Sequence, residues 1–203
     1  MSATMQAGVL HGAKDIRLEK VASPELRPGM VRLRVRRVGI CGSDMHYFEH
    51  GYCAAFIPTR PFILGHELTA DVAAVAADVK TLDVGARVTV NPARACGFCN
   101  YCKAGRGNLC RQTIMLGSAS TTPPTDGAFA EFVTVRADQC HVLPSHMNDG
   151  LGAMMSTSKP IGPPPVTSTR LPATEPARLT ACSATANGSI IAPSPSSNSG
   201  GRT

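Results

Sequence analysis

The stretch "CGFCNYCKAGRGNLC", residues 96–110, sets four cysteines in one short segment, at Cys96, Cys99, Cys102 and Cys110. Their spacing is C-x2-C-x2-C-x7-C. Zn²⁺ takes four tetrahedral ligands, and thiolates are good ones. The two short steps let three sulfurs converge from one tight loop, and Gly97, Gly105 and Gly107 free the backbone to fold around an ion. A set of four thiolates leaves no open position. Such a site is structural: it braces a loop and does no chemistry. An iron–sulfur cluster fits less well, because a ferredoxin run closes C-x3-C-P, whereas here the last step is longer and Arg111 follows. Four unliganded thiols in one exposed loop would oxidise readily. Any chemistry therefore has to come from other residues.

Outward from this loop the chain reads as mostly β. "MQAGVL" (5–10) and "VRLRVRRVGI" (31–40) are strand-like runs, separated by "SPELRPG" (23–29), where Pro24, Pro28 and Gly29 punctuate. In Arg32–Arg37 the basic residues alternate with apolar ones, which reads as the solvated face of a strand. "LTADVAAVAADV" (68–79) is ambiguous: its alanines and the spacing of Val72, Val75 and Val79 fit a helix. The turn-and-strand pattern of "DVGARV" directly after it favours strands. "GARVTVNP" (85–92) and "GAFAEFVTVRADQCHVLP" (127–144) are strand-rich. The expectation is a mostly β domain over 1–155 with short helical pieces.

From Ser156 the composition changes. Residues 156–203 hold eight of the chain's 16 prolines, no aromatic residue and one acidic residue, Glu175. Such a segment buries too little apolar surface to offset its ordering entropy, so disorder is expected there. The whole chain has 203 residues, 43% of them hydrophobic, and a net charge of +6. Only 4% are aromatic. The N-terminus lacks the apolar core of a secretory signal, and no apolar run is long enough to span a membrane. Eight cysteines in such a chain point to metal or catalytic use in a reducing, cytoplasmic setting. Cys140 and Cys182 are expected to be free thiols.

"GICGSDMHY" (39–47) and "ILGHELTADV" (63–72) supply a second constellation. Cys41 and His66 are ligands of mixed softness, suited to a zinc site with an open position. Asp44 can orient the ligand histidine. Ser43 can take a proton from a zinc-bound alcohol, and His46 can pass it to solvent.

In this order, G-I-C-G-S-D-x-H-Y, then G-H-E, then C-x2-C-x2-C-x7-C, the sequence resembles the zinc-dependent medium-chain alcohol dehydrogenases. "CGSDMHYFEHG" is similar to the polyol branch, with sorbitol, xylitol and idonate dehydrogenases, and "NPARACGFCNYCKAGRGNLC" to the bacterial L-idonate 5-dehydrogenase group. The resemblance covers about residues 5–155. It implies a GroES-like, partly open β-barrel followed by a Rossmann domain that binds NAD(P). It implies Cys41 and His66 as catalytic-zinc ligands, Glu67 as the acid near that zinc, and Cys96, Cys99, Cys102 and Cys110 as structural-zinc ligands. It also implies a polyol or sugar-acid substrate whose hydroxyl zinc activates, its proton leaving through Ser43 and His46 and its hydride going to nicotinamide.

The chain departs from that pattern after "GLGAMM" (150–155). The polyol branch continues Glu-Pro, and that Glu is the third protein contact of the catalytic zinc. Here Ser156 and Thr157 follow, and no G-x-G-x-x-G appears anywhere. The expectation is a shortened or frameshifted product with no Rossmann domain. Its structural zinc site is intact, its catalytic site incomplete, and an apolar face left uncovered promotes self-association. The competing reading is a zinc-stabilised, non-enzymatic binding module. Against a nucleic-acid partner, the few Tyr and Phe residues do not interleave with a basic patch in the sequence. The "CGSD" and "GHE" motifs have no role in a zinc ribbon.

Overall fold

The structure, a computed structural model, describes residues 3–157. The expectations for residues 158–203, including Cys182, lie outside the described residues.

Ten strands and three short helices follow in order: β1 (Thr4–Gly12), β2 (Asp15–Ala22), β3 (Met30–Gly39), α1 (Gly42–His50), β4 (Phe62–Ile63), β5 (Glu67–Val75), β6 (Arg87–Val90), β7 (Ala93–Arg94), α2 (Asn100–Lys103), β8 (Ile114–Met115), β9 (Phe132–Arg136), β10 (Cys140–Val142) and α3 (Asp149–Met154). The strands form a five-stranded antiparallel sheet in the order β10-β6-β5-β3-β9, a three-stranded sheet β2-β1-β4, and the hairpin β7-β8. The mostly β reading holds.

Period-two patterning builds the large sheet. Val31 and Leu33 of β3, Leu68, Ala70 and Val72 of β5, Val88 and Val90 of β6, and Val133 and Val135 of β9 share one core. The ambiguous run 68–79 is a strand as far as Val75, because Leu68, Ala70 and Val72 alternate inward. Val79 reaches the same core from the turn that follows, where its N–H donates to Ala76 O at 2.9 Å. Its helix-like spacing from Val75 comes from that turn.

A smaller core of Leu10, Tyr47, Phe62, Leu64 and Ala119 anchors α1. The Tyr47 ring meets Phe62 edge-on at 5.3 Å, and its hydroxyl accepts the Ala119 N–H at 3.0 Å. One buried tyrosine thus fixes a helix that has almost no apolar stripe of its own.

The basic run of β3 is largely solvated, with Arg34, Arg36 and Arg37 exposed, and it is also engaged in pairs. Register shifts on β3 fall between Arg32 and Leu33 and between Val35 and Arg37, and a bulge re-aims side chains. Arg36 pairs with Asp71 at 3.0 Å and with Asp149 at 2.8 Å, and Arg87 pairs with Asp149 at 3.2 Å. Arg32 donates to Pro24 O, and Arg34 lies over the Phe132 ring. Asp149 is the first residue of α3, so this network ties α3 to β3, β5 and β6.

The hydrogen bond from Arg36 holds the Asp149 carboxyl below its usual value of 3.8. A carboxyl depressed by folding contributes stability above its unfolded value and loses it as pH falls through the lower folded value. Asp149→Asn is therefore expected to unfold at lower urea than the parent near neutral pH. The gap should close as pH drops below about 4. A gap that persists unchanged in acid would contradict this linkage.

Candidate metal centres

The four cysteines lie in the loop 95–113 that closes the β7-β8 hairpin, whose register pairs Ala93 with Met115 and Arg94 with Ile114. Gly97 at φ +83° and Gly105 at φ +72° supply the left-handed turns. Cys99 caps α2, and Cys102 lies within that helix. The Cys99–Cys102, Cys96–Cys102 and Cys99–Cys110 sulfur separations are 3.5, 3.9 and 4.0 Å. Four sulfurs about 2.3 Å from a tetrahedral centre would lie about 3.8 Å apart. A disulfide needs about 2.05 Å. The cluster therefore has the spacing of a metal site.

Backbone amides point at the sulfurs as they would at thiolates. Cys110 Sγ accepts the N–H groups of Cys96 at 3.2 Å and Gln112 at 3.3 Å, and Cys96 Sγ accepts that of Cys99 at 3.4 Å. The Cys102 amide, above all, lowers the Cys99 thiol to about 6, while desolvation pushes Cys102 up to about 12. Thiolates packed this closely repel one another. A divalent ion removes that conflict.

The second group is Cys41, His66 and Glu67, whose ligand atoms lie within 4.8 Å of one another. Three elements deliver them. Cys41 caps α1, His66 follows a left-handed Gly65 at φ +90°, and Glu67 opens β5. The Asp44 carboxylate accepts the Cys41 N–H at 2.9 Å through Oδ2 and the Gly65 N–H at 3.1 Å through Oδ1. One buried carboxylate thus sews the cysteine loop to the histidine loop. Glu67 faces Gly39 across the β3-β5 ladder, and a Cβ at Gly39 would come within 2.7 Å of Glu67 Oε2. The glycine makes room for the carboxylate.

His66 is only 4% exposed, and its Nδ1 is buried without a hydrogen-bond partner. Asp44 Oδ1 stands 3.7 Å from it. An orphaned buried imidazole beside a sulfur and a carboxylate fits a soft-to-borderline cation such as zinc. Ser43 lies half-buried in the first turn of α1, and His46 is exposed one turn on, 5.8 Å from the His50 ring centroid to centroid. None of the described hydrogen bonds joins Ser43 to His46.

Sequence reasoning missed the glycine junction behind His66. A Cβ at Gly127 would lie 2.4 Å from both Leu64 O and Gly65 O, and one at Gly117 would lie 2.6 Å from Gly65 O. These contacts join residues far apart in the chain, and no local signal marks them. Ser156, 3% exposed with its Oγ unpartnered, was also unforeseen.

A mostly β domain of this topology, with two clusters that could each hold a metal ion, now has its family. Residues 27–145 match the family model "Alcohol dehydrogenase GroES-like domain", and the chain belongs to that family. It is 40% identical over 144 residues to sorbitol dehydrogenase of Bacillus subtilis, covering 71% of this chain and 40% of the relative. It is 43% identical over 147 residues to sorbitol dehydrogenase of Mus musculus, covering 72% of this chain and 40% of the relative. The crystal structure of L-idonate 5-dehydrogenase from Escherichia coli superposes with a TM-score of 0.68 at 30% identity, over 76% of this chain and 44% of that one. The chain thus spans about 40% of the length of the curated relatives it matches.

Proposed function

We propose that residues 1–155 are the catalytic domain of a zinc-dependent NAD(P) oxidoreductase acting on a secondary hydroxyl of a polyol or sugar acid, with an L-idonate 5-dehydrogenase-like substrate. The observation that carries this is the convergence of Cys41, His66 and Glu67 beside Asp44. Zinc held by these three residues supplies Lewis-acid polarisation of a hydroxyl oxygen. Asp44 fixes the backbone at Cys41 and Gly65, and a small approach to His66 Nδ1 would set the imidazole tautomer. Ser43 takes the hydroxyl proton, and exposed His46 hands it to solvent. Cys96, Cys99, Cys102 and Cys110 hold a second, structural zinc.

The 203 residues contain no G-x-G-x-x-G, so they present no recognisable dinucleotide cradle. A polypeptide of these residues alone is expected to hold zinc and turn over no polyol, because no hydride acceptor is positioned. The reading includes a cytoplasmic location, which suits seven cysteines that form no disulfide among the described residues. Among the described residues no helix is long and apolar enough to cross a membrane. It also includes self-association: Leu151 and Met154 of α3 are exposed apolar residues. A non-enzymatic zinc module would give the Cys41 group no task.

Cobalt titration tests the assignment. The second equivalent of Co²⁺ should add visible absorption in the parent and none in Cys41→Ser or His66→Ala. Identical second-equivalent spectra in all three proteins would overturn it. Sorbitol or L-idonate oxidised with added NAD(P) by this polypeptide would overturn the inactivity.

A further inference from the structure

A cleft of about 600 Å³ lies against the four-cysteine loop, on the side of Arg94, Arg111 and Arg136. Topology brings the three guanidinium residues there. Arg94 ends β7, Arg111 follows the last cysteine just before β8, and Arg136 ends β9. No Asp or Glu lines the cleft; the remaining polar residues of its wall include Gln112, Ser120 and Thr121.

Two observations separate this cleft from an ordinary basic surface. Only Arg136 has a carboxylate partner, Asp138; among the described ion pairs neither Arg94 nor Arg111 has one. Arg111 instead lies over the Tyr101 ring, 5.4 Å from its centroid. Independently, Ser120 Oγ is buried with no hydrogen-bond partner. A buried hydroxyl left unsatisfied costs stability unless something reaches it. Ser120 lines the same cleft as the guanidiniums, and a χ1 rotation is what would turn its shielded Oγ toward a bound oxyanion. Planar guanidiniums match tetrahedral oxyanions through paired N–H donors, and a serine hydroxyl adds one more.

We propose that this cleft is an oxyanion site for a phosphomonoester of small size, bound by Arg94, Arg111 and Arg136 with Ser120 Oγ as a further donor. The site is separate from the Cys41 group and does not depend on the dehydrogenase reading. A rival account makes the arginines counter-charges to four zinc-bound thiolates. That account predicts weaker zinc retention on their removal and no saturable anion binding.

The test is calorimetric titration of the zinc-loaded protein with inorganic phosphate and with glycerol 3-phosphate, at fixed ionic strength. Both probes should bind saturably with one site per chain, the ester at least as tightly as the free ion. Arg94→Gln and Arg111→Gln should each weaken binding by about tenfold or more, an effect expected of a lost charge-assisted pair. Ser120→Ala should weaken it by a smaller factor, and Arg17→Gln, on β2, should leave it unchanged. Zinc content and far-ultraviolet circular dichroism confirm that each variant is folded. Ser120→Ala, which removes no charge, keeps the test sound if an arginine variant loses its zinc. Absence of saturable binding, or equal binding by the parent and the Arg94→Gln and Arg111→Gln variants, would overturn the proposal. Loss of zinc without any anion binding in the parent would establish the counter-charge account instead.

Discussion

Replacing Cys102 with Ala is expected to abolish the tightly held zinc and to lower stability by more than about 4 kcal/mol, the range reached when a structural metal is lost. The reason lies in the loop's construction. Residues 95–113 hang between two-residue strands, and among the described residues no buried hydrophobic side chain falls between Ala95 and Thr113. With so little core of its own, the loop has the metal as its main organiser. Once one sulfur is gone, the other three are left as close, partly desolvated thiols without a full coordination sphere. Thermal unfolding monitored with zinc release should show a drop of roughly ten degrees or more. Cys140→Ala is the matched control. Cys140 is a free thiol packed against the main core, pushed up to about 12 by burial, and it belongs to no cluster. Its loss should leave zinc content unchanged. Equal zinc retention by Cys102→Ala and the parent would contradict the structural-site assignment. The pH dependence has the same origin: protons compete with zinc for thiolates, so retention should fall as pH drops.

Gly127→Ala should be equally damaging, for a different reason. The new methyl group would stand 2.4 Å from two backbone oxygens and 2.7 Å from Gly117 Cα. Backbone cannot swing aside as a flexible side chain can, so the chain carrying Gly65 must move. Gly65 donates to Asp44 and precedes His66, so the disturbance reaches the Cys41 group directly. The expected cost exceeds about 3 kcal/mol, beyond ordinary overpacking. Second-site metal affinity should fall with it. Gly12→Ala offers the comparison, since nothing lies within 4 Å of a Cβ there, and it should shift stability by less than about 0.5 kcal/mol. Urea midpoints of both variants check this. A Gly127→Ala protein as stable as the parent would mean that the close approach is misplaced.

The difference between these two sites explains what the sequence made legible. Four cysteines within one short segment carry their own geometry, because ligand convergence is local. Strands with period-two apolar residues, such as Val31 and Leu33, are legible for the same reason. The run 68–79 is harder. Its alanines favour helix intrinsically, and only cross-strand pairing with β3 and β6 decides for strand. α1 escaped notice because only Asp44 and Tyr47 of its nine residues are buried, too few to draw a helical stripe. α3 is six residues long and held by ion pairs to distant strands. Arg36 is exposed, as the alternation in β3 indicates, but its partners Asp71 and Asp149 lie too far off in sequence to be read from it. At the candidate site, Cys41, Asp44, His66 and Glu67 were legible through motif order, whereas the glycine junction that shapes it was not. Close backbone approach leaves no residue pattern beyond the glycines themselves.

Two metal sites of unequal strength are expected in this domain, one braced by four thiolates and one assembled from Cys41, His66 and Glu67. Elemental analysis of zinc per chain, before and after mild chelation, on the parent and on Cys41→Ser, would tell the two sites apart. About two zinc ions should fall to about one in the parent, and Cys41→Ser should hold about one throughout. No zinc in the parent, or two zinc ions retained by Cys41→Ser, would contradict the two-site assignment.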